Sequence, residues 1–123
     1  MKIQAERLKE LVAAMFARAG CDKEEAQRVA YYLVEANLVG HDSHGVIRVP
    51  SYIGWLQEGK VLANQSIEVV LESDVLAIVD GRYGFGQTIG EQAVRLGIEK
   101  ARSCSDRSAP RCARPISGIR GSA

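Results

Sequence analysis

The spacing of apolar residues predicts two amphipathic helices at the start of the chain. In residues 4–19, and again from Asp22 onward, apolar side chains recur three and four positions apart, which is the period of one helix face. Gly20 and Gly40 follow these segments, where a glycine in the left-handed conformation commonly ends a helix. The second helix therefore directs its C-terminus at the segment that begins with Gly40.

Local signals refine the start of the second helix and predict a third. Asp22, followed three residues later by Glu25, resembles a capping box, in which two side chains bond backbone N–H groups at a helix start. Val49–Glu58 is predicted as a shorter helix, because Pro50 suits its first turn and Gly59 can end it. Three helices in succession predict an antiparallel type of helical cluster.

After the third helix the pattern changes to that of β-strands. The runs "SIEVVLES" and "VLAIVDG" are rich in β-branched residues and meet at Ser73 and Asp74, which predicts a hairpin. The glycine-rich "GRYGFGQ" is predicted as a strand-to-helix turn, and residues 88–102 as a fourth helix. These elements predict an α/β (α+β) fold class, with a three-helix cluster followed by a β-hairpin and a helix.

Residues 103–123 differ in composition from the rest of the chain. They contain five Ser and four Arg but no Leu, Val, Phe, Tyr, Trp, Met or Glu, so neither helical nor strand periodicity can be drawn. We therefore expect two regions: a folded domain over residues 1–102 and an irregular tail over residues 103–123.

Charge and cysteine content narrow the classes of partner. With 16 basic against 15 acidic residues and no basic stripe, neither a nucleic acid nor a membrane is predicted as a partner, which leaves a small molecule. The N-terminus lacks the apolar core of a signal peptide, which favours a cytoplasmic protein. Three cysteines without C-x-x-C spacing argue against a disulfide framework and against a metal site.

The segment "GHDSHGVIRVPSY", residues 40–52, carries the candidate chemistry. An imidazole gives and takes a proton near neutrality, so His44 is a candidate acid/base catalyst that Asp42 could orient. Arg48 lies four residues later and its planar fork suits a carboxylate. Ser43 could hydrogen-bond a substrate or cofactor. A solvated turn that caps the preceding helix is the alternative explanation of the same residues.

Two segments resemble a known family. "ANLVGHDSHGVIRVPSYI" and "GRYGFGQTIGEQAVRLGIEKA" are similar to the type 2 malate/L-lactate dehydrogenase family, over roughly residues 4–102. The resemblance implies a fold other than the common dinucleotide-binding one, NAD or NADP as cofactor, a 2-keto or 2-hydroxy acid substrate, and a homodimer. It implies His44 as the catalytic acid/base group and Arg48, Ser43 and Tyr52 as substrate-binding residues. No cofactor-binding residue is assigned.

The glycines of "GRYGFGQ" are a weak nucleotide signal. Their G-x-x-G-x-G spacing is not followed by Lys and Ser or Thr, so a turn is the more frequent explanation. The resemblance places this region near the active cavity, where Phe85 and Gln87 could line it. Tyr52 and Trp55 are expected to pack rather than to stack on a ligand.

The chain departs from the family after "IEKAR". Family members are well over twice as long, and a histidine-glycine segment is expected where this chain has "RPISGIRG". A reading-frame shift near Arg102 would account for the difference, as would a variable tail or a cloning scar. We therefore expect a truncated piece that is inactive alone. A small non-catalytic helical interaction or structural module is the alternative function.

Overall fold

Four α-helices and one β-hairpin make up residues 2–105, the part of the chain that the computed structural model describes. The helices are α1 (Ala5–Arg18), α2 (Lys23–Leu38), α3 (Val49–Gln57) and α4 (Gly86–Ser105), and the strands are β1 (Glu68–Glu72) and β2 (Ala77–Asp80). Two short 3-10 turns, Asp42–His44 and Val46–Arg48, connect α2 to α3. The predicted order of helical cluster, hairpin and helix is confirmed.

The core lies between α1 and α2 and is closed by residues from α3 and the start of α4. Phe16, Val29 and Leu33 are its largest fully buried side chains together with Val34. The buried cluster consists of Val12, Phe16, Cys21, Ala26, Val29, Ala30, Leu33, Val49 and Phe85. The predicted apolar faces therefore meet one another, since burial of these faces is the main driving force for helix packing.

Gly20 and Gly40 end the first two helices as predicted. Their φ angles are +112° and +86°, in the region that side-chain-bearing residues rarely adopt. The chain turns after α1 through Gly20 into α2, and after α2 it turns through Gly40 and His41 into the 3-10 turn that holds His44. The helix ends that position the histidines are therefore set by local sequence.

The capping box predicted at the start of α2 forms only in half. The Asp22 carboxylate accepts a hydrogen bond from the Glu25 backbone N–H at 2.8 Å, as predicted. The Asp22 backbone N–H, however, donates to the side chain of Asn64, which lies far along the chain. The Glu25 carboxylate is buried and accepts hydrogen bonds from the Asn64 backbone N–H and the Thr88 hydroxyl. Tertiary contacts therefore replace the local bond that a capping box would have made.

The hairpin is antiparallel and contains one irregularity. Glu68 pairs with Asp80 and Glu72 with Ala77, while the register shifts between Val69 and Leu71. All residues of β1 are exposed, so this two-stranded sheet covers little of the core. It is attached to α4 by side-chain contacts, such as the ion pair of Lys100 with Glu72 at 2.8 Å.

The fourth helix continues three residues beyond the predicted boundary at residue 102. Ser103 and Ser105 donate side-chain hydrogen bonds to the carbonyls of Glu99 and Ala101 at 3.0 and 2.8 Å. Within a helix, a serine hydroxyl can bond the backbone carbonyl one turn earlier. The serine-rich composition of residues 103–105 is therefore compatible with a helix. The rest of the predicted tail, residues 106–123, lies outside the described residues. Within residues 2–105, no helix has both the length and the apolar character needed to cross a membrane.

Replacing Glu25 with alanine should destabilise the fold. The backbone N–H of Asn64 and the buried hydroxyl of Thr88 would lose their acceptor, at a cost of about 2–4 kcal/mol in the free energy of unfolding. Urea unfolding of the 123-residue chain measures this. Glu24→Ala is the matched control, because Glu24 lies in the same first turn but is exposed. Equal effects of the two substitutions would contradict a structural role for the buried carboxylate.

The hairpin should be the least protected element of the isolated 123-residue chain. Val70 and Ile78 are 65% and 49% exposed, and a two-stranded sheet without further cover is marginal in water. We expect the amide hydrogens of β1 and β2 to exchange faster than those of α2 in hydrogen-exchange mass spectrometry. Protection of the hairpin as strong as that of α2 would show that it is covered, for example by self-association.

Candidate active site

The two histidines lie on a tight loop that continues directly from α2. The backbone N–H of His41 donates to the Ala36 carbonyl at 2.8 Å, which closes the end of the helix. The N–H of His44 then donates to the His41 carbonyl at 2.9 Å and forms the first 3-10 turn. We call residues 41–48 the histidine loop. Its start is tied to a buried helix and Val46 packs against the core, whereas its polar side chains are exposed.

Ser43, His44 and Arg48 are brought together on this loop. The Ser43 hydroxyl lies 3.0 Å from Nδ1 of His44, and the Nε–H of Arg48 donates to the Ser43 carbonyl at 2.7 Å. All three side chains are exposed. The predicted helical turn before Arg48 is present as Val46–Arg48. An imidazole and a guanidinium are therefore both exposed on one short loop, with one imidazole nitrogen engaged by a hydroxyl.

Asp42 does not orient His44, in contrast to the sequence-based expectation. Its carboxylate instead accepts a hydrogen bond from the side-chain amide of Asn37 at 2.7 Å. The carbonyl oxygen of the same Asn37 amide accepts from the Val46 backbone N–H at 2.9 Å. Sequence reasoning missed Asn37. The available signal was an asparagine in the last turn of a helix, a residue type that often bonds nearby backbone.

Gly45 allows a close approach by the side chain of Asn37. A Cβ atom at this position would overlap the side-chain amide of Asn37. The φ angle of Gly45 is −92°, so the backbone itself does not require glycine. The absence of a side chain at Gly45 therefore makes room for Asn37 rather than for a substrate.

Tyr52 lies apart from the histidine loop in an aromatic cluster. Its ring is stacked on Trp55, with centroids 5.4 Å apart, and contacts Phe16 and Phe85 at 6.4 and 5.9 Å. The Tyr52 hydroxyl is 3.5 Å from Nε2 of Gln87. The packing role predicted for Tyr52 and Trp55 is thus present, while no contact within residues 2–105 joins Tyr52 to His44.

A cavity of about 630 Å³ opens beside this aromatic cluster, between α2, α3 and the start of α4. Tyr52, Trp55, Phe85 and Gln87 are among its lining residues. None of Ser43, His44 and Arg48 lines it. The predicted site residues therefore divide into two groups, with the catalytic candidate His44 and the substrate-binding candidates Ser43 and Arg48 on the open loop, and Tyr52 at the cavity.

Two glycines of the glycine-rich turn are explained by packing. A Cβ atom on Gly81 or Gly84 would lie only 2.9 Å from side-chain atoms of Ile89 or Gln65, so both glycines are needed for packing on α4 and its surroundings. The N–H of Gly84 is also used, in a hydrogen bond to the Gly81 carbonyl at 2.9 Å. A phosphate cradle is built from free backbone N–H groups, and the Gly84 N–H is not available for one.

Cys21 is buried next to the start of α2. Burial, followed by the negative charges of Glu25 and Asp22, raises the pKa of the Cys21 thiol to about 12. Since the thiolate is the reactive form of cysteine, Cys21 is not a nucleophile at neutral pH.

Sequence comparison relates this chain to known dehydrogenases. A sequence model of the malate/L-lactate dehydrogenase family matches residues 3–105. Hydroxycarboxylate dehydrogenase B of Escherichia coli K12 is 38% identical over 100 residues, which are 81% of this chain and 28% of that protein. The L-sulfolactate dehydrogenase of Methanocaldococcus jannaschii is 36% identical over 103 residues, which are 84% of this chain and 30% of that protein.

Solved structures show the same fold. The malate dehydrogenase of Pyrococcus horikoshii OT3 matches 84% of this chain with a TM-score of 0.80 at 33% identity, and 30% of its own chain is covered. The sulfolactate dehydrogenase structure from Methanocaldococcus jannaschii matches 85% of this chain with a TM-score of 0.80, again over 30% of its own chain. The chain thus spans about 28–30% of the length of these relatives. It belongs to the malate/L-lactate dehydrogenase family.

Proposed function

We propose that this chain supplies the proton-transfer and carboxylate-binding groups of an NAD(P)-dependent dehydrogenase that interconverts a 2-keto acid and a 2-hydroxy acid. The observation that carries the proposal is the cluster of Ser43, His44 and Arg48 on one loop in a member of this family. The named substrates of the relatives, which are malate, lactate and sulfolactate, agree with this class of acid. Each combines a carboxylate with a hydroxyl on the neighbouring carbon.

His44 would handle the proton of that hydroxyl. If Ser43 accepts the hydrogen of Nδ1, the lone pair of Nε2 is free to take the hydroxyl proton as the alcohol is oxidised. In the reducing direction, the imidazolium returns a proton from Nε2 to the carbonyl oxygen. The Ser43 hydroxyl can keep the same contact in both charge states, because Nδ1 carries a hydrogen in each of them.

Arg48 would anchor the substrate carboxylate. Its Nε is engaged with the Ser43 carbonyl, and no other partner of its guanidinium occurs within residues 2–105. The two terminal nitrogens therefore remain for a bidentate contact with a carboxylate. The bond to Ser43 places the arginine fork on the same loop segment as the imidazole. A carboxylate and its neighbouring hydroxyl could then reach both groups at once.

The nicotinamide cofactor would supply or accept the hydride. The proposal assigns residues 2–105 only the proton and the carboxylate, and none of their side chains to the cofactor. Parts of the family domain that correspond to the other 70% or so of the relatives' length would hold the cofactor and enclose the exposed loop. We therefore propose that the 123-residue chain is inactive by itself. Homodimer formation and a cytoplasmic location stay predictions.

A non-catalytic helical module is the second candidate function. The exposure of His44 and Arg48, and their separation from the cavity, favour it over an enzyme for the isolated chain. By the full-length enzyme we mean residues 3–105 together with the remainder of the family domain. Titration of this protein with NADH and NADPH discriminates a dehydrogenase from a non-catalytic module. Binding of neither cofactor would support the module.

In the full-length enzyme, His44→Ala should lower turnover by roughly 10²- to 10⁴-fold, which is the usual contribution of a positioned acid/base group. Steady-state oxidation of NADH or NADPH with a 2-keto acid measures this. His41→Ala is the matched control, since its imidazole lies on the same loop with its ring centroid 6.5 Å from that of His44. Unchanged turnover in His44→Ala would remove His44 from the mechanism.

Arg48→Lys should mainly weaken substrate binding. A lysine ammonium cannot reproduce the planar fork, and the loss of one charge-assisted hydrogen bond should raise KM roughly tenfold or more. The measurement is KM for the acid substrate, with kcat determined in parallel. Arg18→Lys, at an exposed arginine at the end of α1, is the control for the chemical change. Equal KM values for Arg48→Lys and the unaltered enzyme would count against the carboxylate role.

A further inference from the structure

One side-chain amide holds both sides of the segment that carries His44. The Nδ2 of Asn37 donates to the carboxylate of Asp42 at 2.7 Å, and its Oδ1 accepts from the Val46 backbone N–H at 2.9 Å. Asp42 lies two residues before His44, and Val46 lies two residues after it. The position of the histidine backbone is thus bracketed by contacts to a single residue.

The chemistry of these two contacts requires an amide in one orientation. A carboxylate needs a donor and a backbone N–H needs an acceptor, and only an amide side chain of this length presents both in one plane. The contact with Gly45 adds a shape requirement, because a Cβ there would overlap the amide. Donor, acceptor and shape therefore all select asparagine at this position.

Asn37 connects the histidine loop to a helix that is fixed in the core. It is half-buried in the last turn of α2, a helix whose Leu33 and Val34 are fully buried. Two further side-chain hydrogen bonds lie within the histidine loop, from Arg48 to the Ser43 carbonyl and between the Ser43 hydroxyl and His44, and both are made by exposed side chains. The Asn37 amide thus links the loop to α2 through its side chain, in addition to the packing of Val46 against the core and the bond from the His41 N–H to the Ala36 carbonyl.

We propose that Asn37 is a positioning residue for His44, acting through the conformation of the histidine loop and not through contact with substrate. The inference rests on the proposed acid/base function of His44. A displacement of a reacting group by about 1 Å can lower the rate about 10²-fold, so the loop geometry bears directly on turnover.

Asn37→Ala in the full-length enzyme should lower kcat roughly 10- to 100-fold, with a smaller change in KM. The decisive measurement is a double-mutant cycle with His44→Ala. If Asn37 acts through His44, its removal costs nothing further once the imidazole is absent. Equal losses from Asn37→Ala in both backgrounds would show a general structural effect and overturn the inference.

A control separates positioning from stability. Asn64→Ala removes the hydrogen bonds of another asparagine side chain, to the Asp22 N–H and the Gly20 carbonyl, at a site away from the loop. It should lower Tm while leaving kcat unchanged at temperatures well below unfolding. If Asn64→Ala lowers kcat as much as Asn37→Ala does, the effect of Asn37 is not one of positioning.

An exchange of polarity tests the hydrogen bonds themselves. Asn37→Asp alone places two carboxylates in contact and should lower kcat. The double variant Asn37→Asp, Asp42→Asn exchanges donor and acceptor. The amide at position 42 then donates to the carboxylate at position 37, which still accepts from the Val46 N–H. The double variant should therefore recover most of the lost kcat. Failure to recover with an unchanged Tm would overturn the inference.

The outcomes distinguish this inference from the proposed function. Full turnover in His44→Ala would overturn both. Loss of turnover in His44→Ala together with full turnover in Asn37→Ala would overturn only the role of Asn37. As an independent measure, the histidine ring signals in NMR spectra of the full-length enzyme should shift for His44 and not for His41 in Asn37→Ala. Unmoved His44 signals would show that the loop does not depend on the amide.

Discussion

The buried carboxylate of Glu25 is the interaction on which the arrangement of this molecule depends. It accepts hydrogen bonds from Asn64 and Thr88, which lie 39 and 63 residues away along the chain. Removing a carboxylate from water is costly unless its oxygens are bonded, so these donors have to be present for α2 to pack as it does. Arg28 extends the network from Thr88 to Glu91 and so joins α2 to α4. Through these bonds, α2 holds both α4 and the loop that follows α3 in place.

The same helix carries the candidate site at its other end. Glu25 lies in the first turn of α2 and Asn37 in its last turn. The fully buried face between them, with Val29 and Leu33, prevents the helix from shifting against α1. The geometry of the histidine loop is therefore connected to the core through a rigid element, although Ser43, His44 and Arg48 are exposed. Functional groups on loops commonly depend on such a scaffold.

The open loop and the aromatic cavity have different physical characters. The loop offers charged and proton-exchanging groups to solvent, while the cavity presents Tyr52, Trp55 and Phe85. An acid/base group and a carboxylate anchor act most strongly where water is excluded. Residues 2–105 do not enclose the loop, which agrees with their covering about 28–30% of the length of their relatives. The cavity and the exposed hairpin are apolar surfaces of the kind that further elements of a longer family domain would cover.

The amino-acid sequence by itself determined the elements whose causes are local. Helix periods, the caps at Gly20 and Gly40 and the β-hairpin could all be predicted, because each depends on residues within a few positions of one another. The motif around His44 and Arg48 also identified the family. The end of α4 was placed three residues early, since the composition of the serine-rich segment outweighed the possible helix bonds of Ser103 and Ser105.

Only the tertiary structure decided the partners of the polar side chains. Glu25 bonds Asn64 and Thr88 instead of closing its capping box, and Asp42 bonds Asn37 instead of His44. Such choices depend on which donors the packed helices bring within about 3 Å, a distance that sequence spacing alone does not specify. The position of Tyr52 was likewise decided by tertiary contacts. Its ring packs against Phe16 and Phe85 and therefore lies away from the histidine loop.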